Sequence, residues 1–226
     1  MTSPVLTERR WSGGYIVSEA NGERSREQVT LKQQAGGTIL DAGTVLGQFG
    51  PSTGAPVAAA NAGNTGNGVM GAVTEGAGAI VGVYNLVFEA AAANAGVFAV
   101  FDPNGAFVGQ GKVAVLFNKG GLSFTLADGS ADFVAGDGFT ITVAANADAG
   151  KYTPVNSAAT DGSQNAKAIL FNSPFDVTAA DTKQTVSARA CEVNGNELVW
   201  PAGATANQIA AWTAQLAAAG IGIIAR

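Results

Sequence analysis

Residues 166–226 read AKAILFNSPFDVTAADTKQTVSARACEVNGNELVWPAGATANQIAAWTAQLAAAGIGIIAR, and the order of patterns in this stretch decides the fold class. It opens on the apolar run Ala168-Ile169-Leu170-Phe171 and crosses a threonine-rich spacer into Val186-Ser187-Ala188-Arg189-Ala190-Cys191-Glu192-Val193. Leu198-Val199-Trp200-Pro201 follows. Short apolar runs bounded by Gly, Pro and Asn predict strands. One helix stands among them. Thr205 is a good N-cap, and Gln208 sits three residues later, the spacing of a capping box. Ile209, Trp212, Leu216 and Ala219 then fall on one apolar stripe, and Gly220 takes the C′ position. That stripe makes Trp212 a core residue rather than a ligand platform. The closing Ile221–Ile224 is short enough to be a sheet edge.

Outward from this stretch the strand signals continue. Residues 36–47, Gly-Gly-Thr-Ile-Leu-Asp-Ala-Gly-Thr-Val-Leu-Gly, read as two short strands around an Asp41-Ala42-Gly43 turn. Residues 51–67, rich in Gly, Ala, Pro and Asn, read as a linker. From 69 to 143 the reading is all-β. Alternation marks residues 83–88, 97–101, 113–117, 122–126 and 139–143, with turn signals at 102–105, 118–121, 128–129 and 136–138. Several short strands at even spacing indicate a small sandwich or barrel. The chain then returns through Tyr152-Thr153-Pro154-Val155 to the strand at 168–171. The expected fold class is therefore mainly β (β-rich α+β), with one C-terminal helix and a separate β-sandwich or barrel-like domain.

Composition narrows the function. Hydrophobic residues make up 47% and charged residues 13% of the 226, so a solid core is attainable and disorder is not expected over most of the length. No apolar run reaches membrane-spanning length and no charged leader precedes a hydrophobic stretch, so neither secretion nor a membrane partner is expected. The single cysteine, Cys191, cannot form an internal disulfide, and its place in a strand reads as a small buried hydrophobe. The chain has no histidine, which removes Ser–His and Cys–His pairs and the commonest base near neutral pH. No enzyme activity, cofactor or metal is expected. Residues 61–150 hold seven acids against Lys112 and Lys119, so this segment carries the net charge of −5. An acidic module does not attract nucleic acid.

Two motifs fail on context. Gly66-Asn67-Gly68-Val69-Met70-Gly71 matches G-x-G-x-x-G, but a polar linker precedes it and no helix follows. Gly111-Lys112 lacks the Ser or Thr and the helix of a phosphate loop. Asp128, Asp132 and Asp137 share a loop-rich region that would in principle suit calcium, yet Asp beside Gly is ordinary turn chemistry.

Residues 166–226, with Leu198-Val199-Trp200-Pro201 the most distinctive motif, resemble the head decoration proteins of tailed bacteriophages, the lambda-like capsid-stabilising family. The pattern Leu40-Asp41-Ala42-Gly43-Thr44-Val45-Leu46-Gly47 resembles the same family. The resemblance implies a structural virion protein, made in the host cytoplasm and sited on the outer capsid surface. Its partners would be the major capsid protein and itself, as a homotrimer at three-fold and quasi-three-fold positions. The implied organisation is an N-terminal capsid-binding arm (1–32), a body (33–60 and 152–226) and an inserted acidic β domain (61–151), since glycine-rich β inserts occur in some family members. Residues 1–32 hold nine charged side chains of mixed sign, which suits an extended arm. Trp11, Tyr15, Ile16 and Val17 form its apolar cluster, either as anchors that order on a partner or as packing on the chain's own body. The resemblance makes Leu6, Trp11, Tyr15, Ile16 and Val17 the capsid-binding residues. The alternative function is a β-sandwich adhesin that binds carbohydrate or a host surface through the inserted domain.

Overall fold

The computed structural model describes residues 10–21, 24–34, 39–90, 92–172, 175–176 and 180–224. Four strands come first: β1 (Ile16–Glu19), β2 (Arg26–Leu31), β3 (Ile39–Leu40) and β4 (Val45–Gln48). Next come β5 (Val57–Ala60), β6 (Thr74–Glu75), β7 (Gly82–Ala90), β8 (Val97–Phe101) and β9 (Phe107–Lys112). Then follow β10 (Leu116–Lys119), β11 (Leu122–Thr125), β12 (Gly138–Val143), β13 (Tyr152–Pro154) and β14 (Ala166–Leu170). The last elements are β15 (Phe175–Asp176), β16 (Thr182–Ser187), β17 (Cys191–Asn194), a 3-10 turn (Gly195–Glu197), the helix α1 (Ala206–Ala218) and β18 (Ile221–Ile224). The chain is mainly β with one α-helix among the described residues, as its patterning predicts. Contacts divide it into two units, Met1–Gly50 with Asp148–Arg226, and Pro51–Ala147.

The first unit is built on a closed barrel in the order β13-β2-β16-β14-β4. Closure comes from β4, which pairs β14 at Val45↔Ile169 and β13 at Gly47↔Thr153. Val29, Leu31, Leu46, Ala168, Leu170 and Val186 fill the barrel interior. A second cluster lies between the barrel wall and α1, where Val45, Ala166, Ile169, Trp212, Leu216 and Ile221 meet Tyr15 and Cys191. On β4, Val45 and Leu46 point to opposite clusters, as strand alternation requires. On β14 a register shift between Ala166 and Ala168 breaks that alternation. The extra residue lets Ala166 and Ile169 face the helix while Ala168 and Leu170 face the barrel.

The helix has its expected capping box, with Thr205 and Gln208 each accepting from the other's backbone N–H, and Gly220 follows its end. Trp212 donates its indole N–H to the Gln164 carbonyl (2.9 Å), and Gln215 accepts from the Ala166 N–H (2.7 Å), so the helix is keyed to the entry of β14. It then hands the chain to β18, which runs parallel to β17 in the sheet β1-β17-β18. A parallel pair needs such a crossover. Close approach also governs β4, where a Cβ on Gly47 would lie 2.1 Å from the Ser163 carbonyl oxygen.

The second unit has a five-stranded sheet, β5-β12-β7-β8-β9, and a three-stranded sheet, β10-β11-β6. One core joins them, containing Tyr84, Phe88, Phe98, Phe117, Phe124, Phe133 and Phe139. Phe88 stacks on Phe133 at 4.3 Å, and the cross-strand pair Phe117–Phe124 stacks at 4.9 Å. Asp137, 4% exposed, accepts from the backbone N–H groups of Thr65 (2.9 Å), Gly66 (2.9 Å) and Val134 (3.1 Å). Burial raises its carboxyl pKa, but the three donors outweigh that and hold it below the usual range.

Two sequence expectations change here. The run 113–117 is not one strand: β9 ends at Lys112, Ala114 takes φ 61°, and the chain re-enters as β10 in the other sheet. Val113 and Phe117 both reach the core across this corner, and alternation alone does not reveal a change of sheet. Residues 51–67, read as a linker, contain β5, whose alanines pair along β12 from Phe139 to Ile141. Small residues give weak strand propensity, and the partner strand supplies the order. Both units bring their chain ends together. Phe49 and Lys151 are backbone-paired (3.0 Å) in the first, and Pro51 and Asn146 (2.9 Å) in the second.

Three outcomes follow from this packing. Gly47→Ala should cost about 1–3 kcal/mol of stability, because a backbone carbonyl cannot rotate away. Thr205→Ala should cost about 1 kcal/mol through loss of the cap. Chemical denaturation followed by tryptophan fluorescence reads both, since Trp11, Trp200 and Trp212 all lie in the first unit. Asp137→Asn should lower the calorimetric melting temperature at neutral pH by about 5 °C or more. Because the folded carboxyl titrates below its ordinary 3.8, its stabilisation is complete above that pH and is lost as pH falls through the lower folded value. The gap between wild type and variant should therefore narrow below about pH 4.

Candidate functional site

The N-terminal segment and its seat on the first unit form the candidate site. Arg10 donates to the Glu197 carbonyl and lies 3.0 Å from its carboxylate. A tight turn follows, closed by Gly14 N–H to Trp11 carbonyl and Ile16 N–H to Gly13 carbonyl, while Gly13 N–H reaches the Phe171 carbonyl (2.9 Å). The segment then becomes β1, antiparallel to β17 with Ile16↔Val193 and Glu19↔Cys191. Val17 falls at the irregularity between Ile16 and Ser18. After the turn at residues 24–25 the chain enters the barrel as β2.

The five residues assigned to the arm take different places. Tyr15 is 2% exposed and shares a hydrogen bond (2.7 Å) with the Ser187 hydroxyl. Burial pushes its phenol pKa up. Ile16 and Val17 are half-buried, and Ile16 packs on the same core as Tyr15. Trp11 is 73% exposed, and Leu6 lies outside the described residues. The structure thus brings Tyr15, Ile16 and Val17 together on the chain's own body and leaves Trp11 at the surface.

Polar contacts fasten the same region. Glu19 accepts from the Arg26 guanidinium and the Ser25 hydroxyl (2.6 Å), which hold its carboxyl below the usual range. Arg26 also lies 4.2 Å above the Phe171 ring centroid, a cation–π contact. Where β2 ends, Asp148 pairs with Lys32 and Lys151, and Lys151 with Asp181 (2.6 Å). Lys32 and Asp148 are far apart in sequence, as are Lys151 and Asp181, and none of these contacts matches a local motif, so sequence reading missed them.

The motifs set aside on context have structural occupations. A Cβ on Gly66 or Gly68 would strike the Phe133 ring, so these glycines allow a close aromatic approach. Asp137 spends its carboxylate on backbone donors, and among the described residues no cluster of three metal-ligating side chains occurs. Cys191 is buried on β17, and burial raises its thiol pKa to about 11. Among the described residues no helix is long and apolar enough to cross a membrane.

No curated protein sequence matches the chain. Among solved structures, FlgL of Xanthomonas campestris is 25% identical over 44% of this chain and 32% of its own, with a TM-score of 0.32. FlgK, the flagellar hook junction protein of Burkholderia pseudomallei, is 24% identical over 57% of this chain and 21% of its own, with a TM-score of 0.34. The chain spans about a third or less of these flagellar proteins. A family model gives a different kind of match. It starts within β11 and ends at the first residue of β18, taking in most of the barrel, β17 and α1. Its description is bacteriophage lambda head decoration protein D, and over residues 123–221, somewhat under half of its length, the chain is similar to that family.

Proposed function

We propose that this protein binds the outer surface of a phage capsid at three-fold and quasi-three-fold positions, as a homotrimer contacting the major capsid protein, and stabilises the expanded shell. The family match over 123–221 carries this reading. The geometry of the N-terminal segment supports a division of labour within it. Tyr15 and Ile16 root the arm in the first unit's core, with Val17 next to them on β1, and Trp11 together with the residues before it, Leu6 included, makes the capsid contact. A shell under outward load separates at its subunit junctions. A clamp across a junction raises the cost of separation, and it needs strand pairing and apolar anchors rather than catalytic groups. Each arm is a small interface. Three arms acting together gain by effective concentration, which offsets the ordering each undergoes on binding.

The test is co-sedimentation with undecorated, expanded shells of the parent phage. Full-length protein should bind saturably. A variant lacking residues 1–9 and carrying Trp11→Ala keeps the Tyr15 root, so it should fold and yet bind at least about tenfold more weakly. Failure of the full-length protein to bind would overturn the decoration role. Equal binding by the variant would overturn the placement of the contact.

A further inference from the structure

Within the second unit a groove of about 270 Å³ runs between β9 and β10, lined by Val97, Gln110, Lys112, Val115, Leu116 and Lys119 among others. Each of these two strands is the outer one of its sheet, so each leaves an edge unpaired among the described residues. The Gln110 carbonyl on the β9 edge faces the groove, where the Lys119 ammonium lies 3.4 Å from it. On the β10 side, Lys119 and Leu122 flank a two-residue turn and form the hydrogen-bonded pair. The backbone groups of Asn118 and Leu116 therefore point away from β11 toward the open edge.

Side chains add two further observations. Val115 and Leu116 are 54% and 62% exposed, left outside by the corner that breaks the run 113–117. Lys112 and Lys119 are the only basic residues of Pro51–Ala147, against six acids there, and both line this groove. Glu89 is bonded to the Gln110 side chain (2.6 Å). In a unit that repels anions overall, two ammonium groups beside an apolar floor and open strand edges give this groove the opposite preference.

We infer that the β9–β10 groove takes an extended acidic peptide, which adds as a strand to one of these edges. Its backbone pairs with the edge, one set of alternate side chains covers Val115 and Leu116, and the other presents carboxylates to Lys112 and Lys119. The inference is independent of the capsid reading, because it uses only the second unit.

Fluorescence anisotropy with full-length protein tests it. The probe is a labelled peptide of about ten residues alternating valine and glutamate, long enough to span a strand edge. Its controls are the valine–lysine counterpart and the same acidic peptide N-methylated at every second residue. The acidic peptide should bind, and the complex should weaken in high salt. Lys112→Glu with Lys119→Glu, both exposed positions, should weaken it at least about tenfold with melting temperature unchanged. N-methylation should do the same by removing edge hydrogen bonds. Equal binding of the lysine peptide, indifference to the double substitution, or indifference to N-methylation would each overturn the inference. So would displacement of the peptide by an oligoglucuronate at equal concentration, which would make the groove a site for acidic sugar.

Discussion

The first unit depends on a wall two strands wide. β4 and β14 are the places where the barrel interior and the helix-facing core meet back to back, so each must bury both faces at once. An unbroken alternation would place Ala166 on the barrel side with Ala168 and Leu170. The register shift at Ala166 turns it toward Trp212 instead, and Gln215 fixes its N–H there. The barrel and the helix layer are coupled through this one irregularity. Gly47, opposite Ala166, is the second half of the same constraint, because only a residue without a side chain lets the Ser163 segment cross there.

This wall also explains what was legible in the sequence and what was not. The helix, from Thr205 through Gln208 to Gly220, is specified by neighbours within one or two turns, so its boundaries and its buried stripe can be read directly. Strands with strict alternation, such as β7 and β12, are equally plain because one face is core and the other solvent. The bulge in β14 and the corner at Ala114 are not, since both are settled by which partner lies across the fold. The same limit applies to the candidate site. Trp11, Tyr15, Ile16 and Val17 stand out as an apolar cluster in a charged segment. Tyr15 differs from Trp11 only because Ser187 and the core around Ile169 receive it, and these lie far along the chain. Residues 51–67 read as a linker because alanine and glycine carry almost no strand signal of their own.

Charge is distributed differently in the two units. Net negative charge concentrates in the second unit, where six acids face two lysines and keep the β-sandwich solvated. In the first unit opposite charges are paired: Arg10 with Glu197, Arg26 with Glu19, Arg189 with Glu27, and Lys32 and Lys151 with Asp148. These exposed pairs contribute little stability individually. Arg10 and Arg26 instead hold the root of the N-terminal segment in one direction, through Glu197 and through Phe171 with Glu19.

The paired chain ends of the two units have an evolutionary meaning. Phe49 and Lys151 already stand as neighbours in the first unit, so a turn of a few residues would close it, as would any folded cargo with adjacent termini. Pro51 and Asn146 give the second unit the complementary property of a portable cassette. Ends paired in this way let each unit's sequence drift without disturbing the other's core, since the buried clusters of the two units share no residue.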